Sequence, residues 1–409
     1  MDAENIMSPL AREFMASDFH HRYPNYDGVS IYSGNRYMEE VESVTEGLAK
    51  KLFSAKFVEL HAFSGTLACL ATLLALTNPN DLVLELDKNN GGFSVLPRLQ
   101  RTRAGNLALL RSSGLPFDAS EMNIDGEAAV KTIKREKPKI VILGATLFLF
   151  PHPVRVIAEA AREVNALVAY DGSHVLGLVA GREFQDPLRE GAFILMGSTH
   201  KTLPGPQSGL FLSKEKNQLT REITEVLHGS IISNHHHYLV PGLAATFAES
   251  MTFGQEYAGQ VVKNSKALAQ ALYEKGFKVM CPDKGFTESH QVIVDVSAIG
   301  GGHATSEKLE KSNIIVTKSA LPRDKTKSLY SGDISGLRFG TQEITRAGME
   351  EREMDEIADF CARILLKKDN PSNTSKEIGD FCKKFQKIRY CFDAGSDADA
   401  YEYFRMSNL

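Results

Sequence analysis

Apolar and polar positions follow two rhythms along the chain. Short apolar runs rich in Val, Ile, Leu and Phe stand at 57–60, 82–86, 107–110, 139–143, 167–170, 193–196 and 209–213. Turn-forming residues bound them, which predicts buried strands. Between them apolar residues recur at helical spacing. Met38, Val41, Val44, Leu48 and Leu52 do so within 37–53, with acidic residues early and lysines late, as a helix dipole prefers. An apolar helix opens at Ser64-Gly65-Thr66, and further periodic stretches lie at 125–136 and 154–164. About seven strands alternating with helices predict an α/β fold, a mostly parallel seven-stranded sheet with helices on both faces.

The rhythm changes at both ends. The first 36 residues are polar and turn-rich with little helical periodicity. Such a segment cannot bury itself and is expected to wrap a partner subunit. A long amphipathic stretch runs from 234 to 274. Near Val279 the pattern becomes a smaller α+β unit: a strand at 290–297, a helix from Ser306, a strand at 313–317, a β-like run around Arg338, a helix at 350–367 and another after Pro371. The expected organisation is an arm at 1–36, a large domain at 37–278 and a small C-terminal domain at 279–409. There is no internal repeat, and the acidic, aromatic tail suggests no function.

Composition narrows the classes. With 409 residues and 43% hydrophobic content, the chain can bury a large core. A net charge of -4 leaves no polybasic footprint for nucleic acid. No apolar run approaches the roughly 20 residues of a membrane span, and the N-terminus lacks a signal-peptide pattern, so a cytoplasmic protein is expected. The five cysteines are scattered without a CxxC pair and read as free thiols. His235, His236 and His237 invite a metal, but adjacent residues on a helix point different ways, so no metal site is expected.

Candidate chemistry centres on 193–209, FILMGSTHKTLPGPQSG. An apolar strand ends there in a polar turn that places Lys201 at the strand's mouth. Desolvation disfavours a charged lysine, and a neutral amine is what a Schiff base needs. One strand earlier, LVAYDGSH puts Asp171 at another strand's carboxyl end, where open α/β sheets bind ligands. A lysine and an acid so placed suit pyridoxal phosphate, the acid keeping the ring nitrogen protonated. Ser64, Gly65 and Thr66, small residues opening a helix after a strand, suit its phosphate.

VAYDGSHVLGLVAG followed by GSTHKTLPGPQSG, and later GLRFGTQEITRAGM, resembles the serine hydroxymethyltransferase family of fold type I pyridoxal phosphate enzymes. The likeness runs from about Ala3 to about Leu366. It implies catalytic roles for Lys201, Asp171, His174 and Tyr32. It implies cofactor contacts from Tyr23, Ser64, Gly65, Thr66, Phe93, Thr146, Thr199 and His200 besides Asp171, His174 and Lys201. Arg338 is implied as the clamp on the substrate carboxylate, with Asn25 beside the substrate. A homodimer or higher homo-oligomer is implied, its arms completing neighbouring active sites and the triple histidine lying at the subunit interface.

Departures from the family pattern bear on the reaction. Where the family has Tyr-Ala-Glu-Gly, this chain has Tyr23-Pro24-Asn25-Tyr26, and an amide cannot exchange a proton near neutral pH. His20 or His21 is one replacement for the missing acid. Phe93 replaces a histidine after Gly91-Gly92, and Ala3 replaces a serine before Glu4-Asn5. LPGPQ, GFTESHQV and GQVVKNSKAL also look like threonine transaldolases. The expectation is therefore a folate-independent aldolase or transaldolase, opening or forming the Cα–Cβ bond of a β-hydroxy-α-amino acid through a glycine carbanion. The alternative is a folate-dependent serine hydroxymethyltransferase, and only it needs tetrahydrofolate. A third class is a non-catalytic scaffold or sensor. Retention of Asp171, Lys201 and Arg338 counts against that.

Overall fold

The computed structural model describes residues 1–25, 32–93, 95–96, 110–324, 334–367 and 369–392. Seven strands form the large sheet: β1 (Phe57–Ala62), β2 (Leu82–Glu85), β3 (Arg111–Gly114), β4 (Ile140–Leu143), β5 (Leu167–Asp171), β6 (Ile194–Ser198) and β7 (Gly209–Ser213). Their order is β1-β7-β6-β5-β4-β2-β3, parallel except for β7, which runs antiparallel to both neighbours. Successive side chains of a strand point to opposite faces. Val141, Val168, Tyr170 and Leu195 therefore join the core under α2 (Arg36–Phe53), α4 (Gly126–Glu136) and α5 (Val154–Glu163). Ile140, Ile142, Ala169, Ile194 and Met196 join the core under α3 (Gly65–Leu76) on the other face.

The strand expected at 107–110 is displaced. Residues 107–109 lie outside the described residues, and the pairing strand begins at Arg111. Its polar serines are tolerated because β3 is an edge strand, incompletely buried, and Ser112 Oγ donates to Glu85 at 3.0 Å.

A second sheet, β8 (Lys278–Val279), β9 (Gln291–Asp295), β10 (Thr317–Ser319) and β11 (Gly336–Gly340), is antiparallel throughout in the order β8-β9-β11-β10. The 36-residue helix α6 (Leu239–Glu274), about 54 Å long at 1.5 Å per residue, joins the two regions. Its Val240, Leu243, Phe247 and Val261 lie in the large-sheet core. Its Leu268, Ala269 and Leu272 lie in the second core with Val292, Val294, Leu337 and α8 (Glu351–Leu365). The strand expected at 313–317 forms later, at Thr317–Ser319, because Ile314 and Val316 pack on this second core from irregular chain. α7 (Gly301–Glu310) starts earlier than Ser306.

The N-terminal segment carries more structure than its polar composition suggests. α1 (Pro9–Met15) is capped by Ser8, whose Oγ accepts from Ala11 N–H at 3.1 Å, with Pro9 in the first turn. The helix packs against α6, where a side chain at Gly242 would strike Met15. Asp2, Ser8 and Ala11 are fully buried. Its longest exposed stretch among the described residues runs from His20 to Tyr23, and Tyr32 is exposed as well, although Glu4, Glu13 and Phe14 also reach the surface. Among the described residues no helix is long and apolar enough to cross a membrane.

Candidate active site

A cavity of about 220 Å³ opens at the carboxyl ends of β4, β5 and β6 and the start of α3. Ser64, Gly65, Thr66, Phe93, Thr146, Asp171, His174, His200 and Lys201 line it, together with Ala145, Ser173 and Ser198. Most of the predicted cofactor residues are thus brought together. Desolvation lowers the Lys201 pKa from its ordinary value, with Asp171 and Asp2 opposing and Arg338 reinforcing the effect. Asp171 is buried and desolvation raises its pKa, against the Ser173 hydrogen bond and the Lys201 charge. Ser173 N–H donates to Asp171 Oδ1 at 2.9 Å, fixing the carboxylate.

The walls are built by close backbone approach. A Cβ at Gly65 would lie 2.5 Å from Ser173 Oγ and 2.7 Å from Ser198 Oγ, so only glycine lets α3 begin there. Gly144 has φ +127° and meets the Asp171 carbonyl so closely that a side chain would collide, which directs Ala145 and Thr146 along the cavity. Thr146 Oγ1 donates to the Gly91 carbonyl at 2.8 Å. Thr199 is an exception among the predicted contacts. It is buried off the cavity wall, and its hydroxyl donates to the Pro206 carbonyl at 2.6 Å, holding the loop around Lys201. His200 keeps a buried Nδ1 without a hydrogen-bond partner, and desolvation with the nearby Lys201 charge lowers its pKa to about 4.

The protonation of His174 follows from Gln291. Gln291 Oε1 accepts from Phe148 N–H at 2.7 Å, which turns its amide nitrogen toward Thr146 O at 3.0 Å, Asp2 Oδ2 at 3.1 Å and His174 Nδ1 at 3.2 Å. An amide nitrogen cannot accept, so the 3.2 Å contact is a hydrogen bond only with His174 Nδ1 as acceptor and the ring proton on Nε2. Burial and the surrounding cations hold its pKa well below the ordinary value. The ring stacks on His290 with centroids 5.8 Å apart.

Arg338, on β11, reaches the crevice from the small sheet. Its guanidinium contacts the Thr146 carbonyl, and its Nε is 2.7 Å from Asp2 Oδ2. The other Asp2 oxygen accepts from Thr317 Oγ1 at 2.7 Å. The chain's own carboxylate thus fills the clamp expected to hold a substrate carboxylate. Asn5 ties the same segment to the cavity, donating to the Lys201 carbonyl at 2.6 Å and to Tyr257 Oη at 2.8 Å.

Tyr23, Asn25 and Tyr32 lie together outside the cavity. The two rings are 5.2 Å apart, and the Asn25 amide donates to the Tyr32 carbonyl at 3.1 Å and to Glu39 at 3.2 Å. Asp2, Gln291, His290, Ser173 and Ser198 are site residues that sequence reasoning missed. Ser173 and Ser198 stood inside the quoted motifs. Asp2 precedes the Glu4-Asn5 pair and lacked any periodic or spacing signal.

Comparison with known proteins gives the family. The family model for serine hydroxymethyltransferase matches residues 1–361. The chain belongs to the serine hydroxymethyltransferase family. It is 45% identical over 408 residues to the serine hydroxymethyltransferase of Methanocaldococcus jannaschii, covering 98% of this chain and 93% of the relative. It is 42% identical to that of Korarchaeum cryptofilum, with the same coverage. A solved structure of L-threonine transaldolase from Pseudomonas fluorescens, in an internal aldimine state, superposes with a TM-score of 0.87 at 28% identity, covering 97% of this chain and 90% of that one. The protein is accordingly a pyridoxal phosphate-dependent enzyme of this family. The cavity fits the cofactor, offering a desolvated lysine, a buried acid and a helix N-terminus that only glycine permits.

Proposed function

We propose that the protein is a serine hydroxymethyltransferase-type transferase, interconverting serine and glycine with a reduced folate as one-carbon carrier. The observation that carries this is the convergence of Lys201, Asp171 and Arg338 on one crevice, in a chain 42–45% identical over nearly all its length to archaeal relatives of that name. The relatives support this reading over the folate-independent one expected from the sequence departures.

Bound pyridoxal phosphate supplies the electron sink for the carbanion left when the Cα–Cβ bond opens. Lys201 is the amine that holds it, and burial favours the neutral, nucleophilic form. Asp171 is the carboxylate for its ring nitrogen. Ser64, Gly65 and Thr66 at the start of α3 hold its phosphate. Arg338 binds the amino acid's carboxylate once Asp2 withdraws, since a guanidinium suits bidentate pairing. His174 keeps a proton on Nε2. Exposed Tyr23 and Tyr32, with half-buried Asn25 between them and all away from their own cavity, fit a second copy of the chain whose site they would complete.

Asn25 favours a second reading. An amide there supplies no proton, and Phe93 on the cavity wall supplies none either. A folate-independent aldolase or transaldolase asks less of both positions. The test is cleavage of serine and of threonine, each with and without tetrahydrofolate. Serine-to-glycine conversion that depends on folate is expected. Efficient threonine cleavage indifferent to folate, with serine inert, would instead establish the second reading. Mixing an arm variant with a Lys201 variant tests the shared site, and partial recovery of activity is expected.

A further inference from the structure

A second buried polar cluster lies outside the catalytic crevice, between α2, β1 and the turn before α6. Glu59 and His61, two apart on β1, point to the same face. His61 Nδ1 is 2.8 Å from Glu59 Oε1, while Glu59 Oε2 meets His228 Nε2 at 3.0 Å. The other side of the His61 ring is different. Its Nε2 is buried with no hydrogen-bond partner, and Glu42 Oε1, on α2, stands 3.7 Å away. His237 repeats the arrangement. Its Nε2 lies 3.4 Å from the Met38 carbonyl, and its Nδ1 is buried without a partner. The turn matters here, because His236 has φ +45° and the three consecutive histidines precede the helix. His235 turns to His228 at 2.9 Å and His236 stacks on Phe63, leaving His237 for His61.

Each imidazole therefore has an acceptor at its far nitrogen, a carboxylate for His61 and a backbone carbonyl for His237. In the neutral rings the proton is held there, which leaves His61 Nε2 and His237 Nδ1, both buried and unpartnered, as the nitrogens free for a ligand beside Glu42. Metal-binding histidines are oriented in this way by their outer partners. One ligand atom each from Glu42, His61 and His237 lies within 4.8 Å of the others. We propose that Glu42, His61 and His237 form a binding site for a divalent transition-metal cation of the zinc class. Donors bound at roughly 2.0–2.2 Å in a tetrahedron stand roughly 3.4 Å apart, so the 3.7 Å Glu42–His61 separation needs only a small closure. Two neutral imidazoles and one carboxylate suit a borderline ion over calcium or magnesium. The Glu42 side chain, 19% exposed, gives the ion access and leaves a position for water. The neighbouring Glu59–His61–His228 set does not compete, because those atoms bond one another. A proton is the rival occupant: desolvation lowers the His61 pKa, but Glu59 and Glu42 outweigh it and raise it to about 9. The ion would pin α2 and the turn before α6 to the end of β1, three residues ahead of Ser64.

The test uses the cofactor-loaded protein, stripped with a chelator and titrated with Zn²⁺ alone and Co²⁺ alone. One equivalent of zinc per chain is expected to survive gel filtration, with a rise in the thermal midpoint. Cobalt is expected to give the intense ligand-field band of a low-coordinate nitrogen site. His61→Gln and His237→Gln should each weaken uptake at least tenfold, and Glu59→Gln by roughly tenfold through loss of orientation. His236→Gln, outside the triad, should leave uptake unchanged. No stoichiometric zinc, a weak six-coordinate cobalt spectrum, or uptake undiminished in both histidine variants would overturn the site. Should those variants not fold, the cobalt spectrum of the unaltered protein decides.

Discussion

The two halves of the catalytic crevice are in opposite electrostatic states. On the large-sheet half, Lys201 and Asp171 are desolvated and, among the described residues, form no ion pair with each other or with a neighbour. On the small-sheet half, Arg338 is already paired with Asp2, whose carboxylate also accepts from Thr317 and Gln291. One half is held in a state that a ligand relieves, and the other in a state that a ligand must displace. Under the proposed function, the fold would favour cofactor attachment, whereas amino-acid binding would be set by competition with the chain itself.

The largest expected effect breaks the first half. Lys201→Ala removes the only amine placed to hold the cofactor among the cavity-lining residues. Borohydride-reducible attachment should vanish and turnover fall by roughly 10²- to 10⁴-fold or more. Undiminished covalent attachment in that variant would refute the assignment. Next comes the second half. Arg338→Leu removes a charge-assisted pair of about 2–5 kcal/mol, so the amino-acid KM should rise by roughly 30-fold or more with a smaller change in kcat. An unaltered KM would move the clamp elsewhere.

Asp2 sharpens the contrast. If the clamp is competent only in the fraction of molecules where Asp2 has left Arg338, apparent affinity is reduced by that fraction. Asp2→Asn keeps the shape and the acceptor for Thr317 but removes the competing charge. The amino-acid KM is expected to fall by about three- to tenfold. A KM that stays constant or rises would show that Asp2 supports the clamp instead of occupying it.

The two halves also differed in how well the sequence revealed them. Lys201, Asp171 and Ser64 sit at the ends of apolar strands, where period and turn residues mark the position and parallel topology brings the ends together. The seven-strand alternation was legible for the same reason, apart from β3, whose serines carry no apolar signal at a sheet edge. Asp2 had no such mark. It meets Arg338 across more than three hundred residues, through a short helix whose burial depends on α6. The three adjacent histidines do point different ways, as expected, but through a left-handed residue at 236 ahead of the helix and not through helical geometry, since the helix begins only at Leu239. Local pattern identifies what stands at the end of an apolar strand. It does not identify what folds back onto it.

The effect furthest from the chemistry lies at the seam between the halves, behind Gln291. His152 is buried, stacks on Phe148 with centroids 4.3 Å apart, and has its Nδ1 2.8 Å from Asn123 Oδ1. Phe148 in turn donates to Gln291, which joins His174 and Asp2. Burial lowers the His152 pKa to about 3. The folded form therefore disfavours the proton that the unfolded chain accepts near pH 6.5. The neutral ring contributes stability above that value, and the contribution is lost as pH falls from about 6.5 toward 3. The loss at pH 4 should be about 1–3 kcal/mol. His152→Gln should start less stable at pH 7, having lost the stacked ring, but decline less on acidification. Denaturant midpoints at pH 7, 5.5 and 4 measure both slopes. Parallel declines in the two proteins would mean that acid loosens this seam through another group.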